Sequence, residues 1–194
     1  MMQRKNYLIA LLTTIMLFSC GQDKKDSLPV KPQDLNSVKT LIKGKKYTTQ
    51  KTGFYGTIAV NDETTVNWID IAEKKKQLAK NTNNMTAQTE LTAAERELKF
   101  AVQFVNDTAA TVFSNGTSIP ATYAVDNIVD DYGNDKESVK IRLTYADPSF
   151  SFGNELASEM TFTFLVVGAD EKSLLLQTPR TINRQPLISL LVAE

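Results

Sequence analysis

The chain of 194 residues has one thiol, Cys20, and no imidazole. Without histidine there is no Ser-His-Asp relay, no His-based zinc site and no unperturbed side chain that changes charge near neutral pH. A lone cysteine forms no intrachain disulfide and no multi-thiolate metal site. Carboxylate, lysine, tyrosine and hydroxyl chemistry remain, but no arrangement of those residues matches a catalytic, cofactor or metal motif. The sequence therefore predicts a protein that is not an enzyme and carries no cofactor.

Three clusters are candidate sites. The stretch from Asp126 to Glu137 holds Asp126, Asp130, Asp131, Asn134 and Asp135. Calcium takes six to eight oxygens from such loops, but the spacing does not fit a calcium-binding loop. Asp130 and Asp131 are also sequence neighbours, which need not converge as a catalytic carboxylate pair does. A solvated hairpin loop is the expectation. The second cluster is aromatic: Tyr145, Phe150, Phe152, Phe162 and Phe164. These rings are candidates to line an apolar ligand pocket, or they fill an ordinary core. The third is Gln177–Arg184, expected to connect the final strands. Each guanidinium, Arg180 and Arg184, offers a planar fork for an anion, or else closes a barrel end by bonding backbone carbonyls.

The elements that must carry these residues are mostly strands. Phe100, Val102 and Phe104 alternate with other side chains, as do Val139, Ile141, Leu143 and Tyr145, then Met160, Phe162, Phe164 and Val166. That period gives one wet and one dry face. Strands are also expected at Lys45–Gln50, Gly53–Val60, Ala109–Phe113, Ile119–Val125, Leu174–Gln177 and Leu187–Val192. Asn61-Asp62-Glu63, Asn106-Asp107, Asn115-Gly116 and Gly168–Glu171 mark turns; Asn-Gly is the strongest hairpin signal because both residues tolerate positive φ. Asn84, Asn106 and Asn115 also begin Asn-x-Thr triplets, read here as turn chemistry.

A short helix is expected at Ser37–Lys43, stopped by Gly44. One or two more are expected in the insertion at about 68–98, one starting at the capping-box pattern Thr92-Ala-Ala-Glu95. Lys74 to Lys76 would be a solvated helix face. The fold class is mainly β: an antiparallel up-and-down meander of about eight or nine strands, closed as a barrel or folded as a sandwich, with short helices inserted.

The N-terminus is of another kind. Arg4 and Lys5 precede an apolar run from Tyr7 to Phe18, the composition of a secretory signal. The run is too short to span a ~30 Å hydrocarbon layer. Leu17-Phe18-Ser19-Cys20 resembles the lipobox of bacterial lipoproteins. That resemblance implies cleavage before Cys20 and acylation of its thiol and new amine, so that acyl chains anchor the mature chain in a membrane. Gly21 lacks the acidic retention signal familiar from enteric bacteria, which points to the outer membrane. Residues 20–36, polar and broken by Pro29 and Pro32, read as a lipidated flexible tether that binds nothing, and 37–194 as the β-rich domain. Asp26-Ser27-Leu28 and Asp107-Thr108-Ala109 also resemble a three-residue O-glycosylation signal of secreted Bacteroidetes proteins.

Gly44-Lys45-Lys46-Tyr47 resembles the opening of lipocalin-like bacterial lipoproteins, in which the first strand carries Gly-x-Trp and an arginine near the last strand packs over the Trp. Tyr47 stands in place of the Trp, and Arg184 is the candidate arginine. Charge adds one exclusion. The chain has 22 basic and 22 acidic residues, so no basic field exists to hold nucleic acid. Together these features predict a lipid-anchored cell-envelope protein. Its domain would bind an apolar ligand or a protein partner without catalysis, or serve as a structural accessory subunit of an envelope machine such as a secretion system.

Overall fold

Apolar residues at every second position bury one face of each strand, and here that face turns inward on a closed sheet. The computed structural model describes residues 28–29, 34–56, 66–129, 135–146 and 158–194. In chain order the elements are α1 (Leu35–Ile42), β1 (Lys46–Tyr55), β2 (Val66–Trp68), α2 (Ile71–Lys80), α3 (Met85–Glu97), β3 (Ala101–Phe104) and β4 (Ala109–Ser114). They continue as β5 (Thr117–Val129), β6 (Asp135–Ala146), β7 (Glu159–Ala169), β8 (Ser173–Ile182) and β9 (Gln185–Ala193).

From β3 to β9 each strand pairs antiparallel with the next. β1 pairs with β9 from Tyr47↔Ala193 to Phe54↔Leu187, which closes the circuit. Closure decides for the barrel over the sandwich: β1 and β3–β9 form an eight-stranded up-and-down barrel of lipocalin-like form. The other edge of β1 is shared. β3 pairs with Lys46–Thr48 and β2 with Gly53–Tyr55, and α2 and α3 bridge the gap between these two strands. β2 approaches so closely that a Cβ at Gly53 would collide with the Asn67 carbonyl.

Inward positions are buried as the alternation predicts. Val139, Ile141, Leu143 and Tyr145 are buried, while Arg142 between them is exposed. One end of the barrel is plugged by α1, which starts where the Asp34 carboxylate accepts the Ser37 N–H at 2.8 Å. That bond holds the Asp34 pKa below its usual value. Val38 and Ile42 of α1 are fully buried in the core. Gly44 ends the helix at φ +75°, a conformation glycine adopts without strain, and its N–H donates to the Phe104 carbonyl at 2.8 Å. The Tyr47 hydroxyl donates to the carbonyl of Leu41 in α1 at 3.1 Å.

Several expected boundaries change. Lys45–Gln50 and the start of Gly53–Val60 are one strand, β1, because a register shift between Thr49 and Lys51 absorbs the break in alternation. Thr92 and Glu95 lie inside α3, not at its start; Asn84 caps the helix by accepting the Ala87 N–H at 3.1 Å. Gln177–Ile182 is strand, and only Asn183-Arg184 turns the chain, both at positive φ as a tight hairpin requires. Asp126–Val129 belongs to β5 and Asp135–Glu137 to β6, so the expected acidic loop is shorter at both sides. Residues 57–60 and the turn at 61–63 lie outside the described residues. So do Cys20, the other residues of 1–27, and 30–33. Within the expected tether, however, Pro29 is buried and Leu28 packs against the barrel wall, which corrects the reading that this stretch binds nothing.

Phe104→Ala should cost about 3–5 kcal/mol, read as a lowered denaturation midpoint, since the ring is fully buried against two tyrosines. A second expectation concerns pH. Burial, with the Asp170 charge adding to it, pushes the Tyr47 pKa up to about 12. The folded state thus disfavours the phenolate, so stability should fall as pH rises from about 10, the unfolded value, towards 12. Tyr47→Phe should flatten that part of the stability–pH curve in denaturant titrations.

Candidate functional site

The barrel axis is where a lipocalin-like fold would hold a ligand, and here it is occupied by the protein's own rings. Phe104 packs edge-on against Tyr47 and Tyr123, with centroids 6.1 and 4.9 Å away. Phe100 stacks on Phe164 at 5.8 Å and Tyr145 on Phe162 at 4.8 Å. Such pairs contribute about 0.5–1.5 kcal/mol each beyond the area they bury. The Tyr123 hydroxyl donates to the Asn106 carbonyl at 2.6 Å, so its polar end is satisfied at the barrel's margin. An eight-stranded barrel has room for side chains or for one small ligand; among the described residues, these rings pack there with the aliphatic side chains around them.

Of the five expected aromatic residues, Tyr145 and Phe164 are buried members of this core and Phe162 is packed at its edge. Phe150 and Phe152 lie outside the described residues. Tyr47, Phe100, Phe104 and Tyr123 were not expected on the axis, although the alternation of Phe100, Val102 and Phe104 already carried the signal.

At the end opposite α1 the barrel meets α3. Glu97, near the end of α3, is almost wholly buried, and its Oε1 accepts from Arg180 Nη1 at 2.7 Å. Arg96 Nε stands 3.8 Å from the same oxygen. A buried carboxylate is tolerated only when paired, and the inward position of Arg180 on β8, between Thr178 and Ile182, supplies the partner. Arg180 thus ties α3 to the barrel through a carboxylate, where the sequence suggested backbone carbonyls. Ala93 of α3 packs beside it with Ile182 and Leu187. Arg184 is exposed in the β8–β9 turn. Tyr47 pairs with Ala193 at the far end of β9, about 30 Å of strand away, so Arg184 does not pack over Tyr47 as the lipocalin pattern would have it.

Where β1, the end of β2, α2 and α3 meet lies an open cleft of about 340 Å³ lined mainly by Thr52, Trp68, Ile69, Asp70, Ala94 and Leu98. No sequence motif pointed to it; the nearest signal is Trp68, the one tryptophan of the chain, at the edge of the helical insertion.

The remaining candidates resolve into surface chemistry. Asp126 forms an ion pair with Arg142 at 2.7 Å on the outer wall. Asp130, Asp131 and Asn134 lie outside the described residues. Among the described residues no three carboxylates gather as a metal site would need. Lys74 and Lys75 tie α2 to α3 through Glu90 and Glu95, at 2.6 and 2.9 Å. Asn106 accepts the N–H groups of Thr108 and Ala109, and Asn115 sits at φ +50°, both as turn residues.

The sequence matches no protein-family model, and no curated protein or solved structure is significantly similar to it.

Arg180→Met should lower stability by about 3 kcal/mol, because it removes the hydrogen-bonded partner of the buried Glu97 carboxylate and leaves it only the more distant Arg96. Adding Glu97→Gln should return most of that loss. A double variant no more stable than Arg180→Met alone would mean that the pair does not hold α3.

Proposed function

We propose that this is a lipid-anchored cell-envelope protein, held by acyl chains on Cys20 at the outer membrane, whose barrel binds a protein partner through its outer surface and does no catalysis. One observation carries the choice of partner over enclosed ligand: aromatic rings pack the barrel axis from Tyr47 to Phe164. A carrier needs an internal space that its ligand can enter. A filled barrel is instead a rigid body with walls and loops to present, which suits an accessory subunit of an envelope assembly. The absence of histidine and of any thiol besides Cys20 supports a non-enzymatic role.

A second reading rests on the cleft beside α2 and α3. Its volume falls within the range of small-molecule sites, roughly 300–1,000 Å³, and Trp68 gives it an aromatic wall. A small amphipathic ligand would therefore sit beside α2 and α3.

Membrane fractionation tests the anchor: the wild-type chain should sediment with membranes and Cys20→Ser should be released. Chemical crosslinking in intact cells should then yield discrete protein adducts that are lost with Cys20→Ser. A fluorescent fatty acid titrated into the soluble Cys20→Ser protein should not bind stoichiometrically. Binding without quenching of Trp68 would establish a carrier barrel; binding with quenching would favour the cleft.

A further inference from the structure

Leu28 and Pro29 dock on the outside of the barrel, and three observations show that the wall is built to receive them. Leu28 packs against a second apolar cluster containing Leu175, Ile188 and Leu190, with Trp68 at its edge. These residues point outward: Leu175 pairs with Leu190 and Gln177 with Ile188, whereas the neighbouring pair Leu174 and Leu191 belongs to the interior core. Pro29 is buried. Beneath it lies Gly168, where a Cβ would run into the Pro29 carbonyl, at the point where the β7–β8 register shifts. Any other residue at 168 would push the strap away.

We infer that this docked strap sets how the barrel is presented to the membrane. The membrane part of the inference rests on the lipid anchor proposed at Cys20. The reasoning is one of reach. From Cys20 to Leu28 the chain extends at most about 29 Å, whereas to Asp34, the next described residue that helix α1 holds, it extends about 50 Å. A domain of ~160 residues has a radius of gyration of about 15 Å and so an outer radius of about 19 Å, and a path half-way round it is about 60 Å. An undocked tether of about 50 Å reaches most of the way round, so most sides of the barrel can lie on the bilayer. A docked one of about 29 Å reaches only about half that far: the β7–β9 wall stays near the membrane and the β4–β5 wall is held away from it. The partner surface is then the far wall and the barrel ends, and the strap acts as a short leash.

Docking and presentation are tested separately. In the soluble Cys20→Ser protein, Trp68 is the only tryptophan and packs, as Leu28 does, against the Leu175, Ile188 and Leu190 cluster. Leu28→Ser with Pro29→Ser should shift its emission to longer wavelength while the β-sheet circular dichroism stays unchanged. Gly168→Leu should do the same. Unchanged emission in the strap double variant overturns the docking, whether or not Gly168→Leu folds. For presentation, the lipidated protein is placed in phosphatidylethanolamine–phosphatidylglycerol vesicles carrying a headgroup acceptor dye. A donor is attached to a thiol introduced at Lys172, beside β8, or at Thr122, exposed on β5. Energy transfer should be several-fold stronger from position 172 than from 122, and the two should converge in the Leu28→Ser, Pro29→Ser variant. Equal transfer in the protein with its strap intact overturns the leash. Failure to associate with vesicles at all overturns the anchor, and the presentation with it, while leaving the Trp68 result to stand for docking.

Discussion

The ladder between β1 and β9 leaves the eight-stranded circuit without an open edge, and what lies inside follows from that closure. A closed sheet of eight strands encloses a space with room for the side chains that point into it or for one small ligand. Once Tyr47 and Phe54 pair with Ala193 and Leu187, the rings of β1, β3, β5, β6 and β7 have no choice but to meet on the axis. Their edge-on and stacked contacts are the form that meeting takes. Closure also governs the ends. α1 caps one, with Val38 and Ile42 in the core and the Tyr47 hydroxyl bound to the helix. At the other, α3 is held through Arg180 by Glu97, the one buried charged side chain among the described residues. Both plugs are thus fixed by bonds to barrel strands, and both ends of the interior are covered by helix.

The alternation of the long strands made the fold class legible. In β6, Val139 to Tyr145 alternate so regularly that the residue order alone identifies both the strand and its buried face. Where reading failed, a local signal was overruled by tertiary context. Thr92 and Glu95 form a capping box in isolation, but Asn84 starts α3 a full two turns earlier, and burial of Leu91, Ala93 and Ala94 carries the helix through the box. The break between Gln50 and Gly53 resembled a turn between two strands. It is a bulge, because β9 pairs with β1 on both sides of it. Pro179 disguised the end of β8 as a loop; the ladder skips from Gln177 to Thr181 there, so the proline sits where no N–H is needed.

The sites were less legible than the fold, for a physical reason. A ring's role depends on what stands opposite it across the barrel, and sequence order does not give that. Tyr145 and Phe162 are brought together by neighbouring strands, yet Phe100 and Phe164 lie far apart in the chain and meet only because the sheet closes. Arg180 stands out in the sequence as an unusual cation, but its partner sits on α3, in an insertion whose packing no periodicity revealed.

The apolar runs of the last two strands carry the final step. A strand wetted on one side alternates, as β6 does. Leu174-Leu175-Leu176 and Leu187 to Val192 hardly alternate, which means that both of their faces are covered. The inner face belongs to the barrel core. The outer face needs another cover, and Leu28, Pro29, Val66 and Trp68 provide it. An exposed apolar strip at a barrel wall would invite association with other chains. Here it is shielded by the stretch that precedes the domain, and Gly168 makes the shielding possible by carrying no side chain. The doubly apolar strands, the bare glycine and the proline resting on it are therefore one feature, written in three separate parts of the sequence.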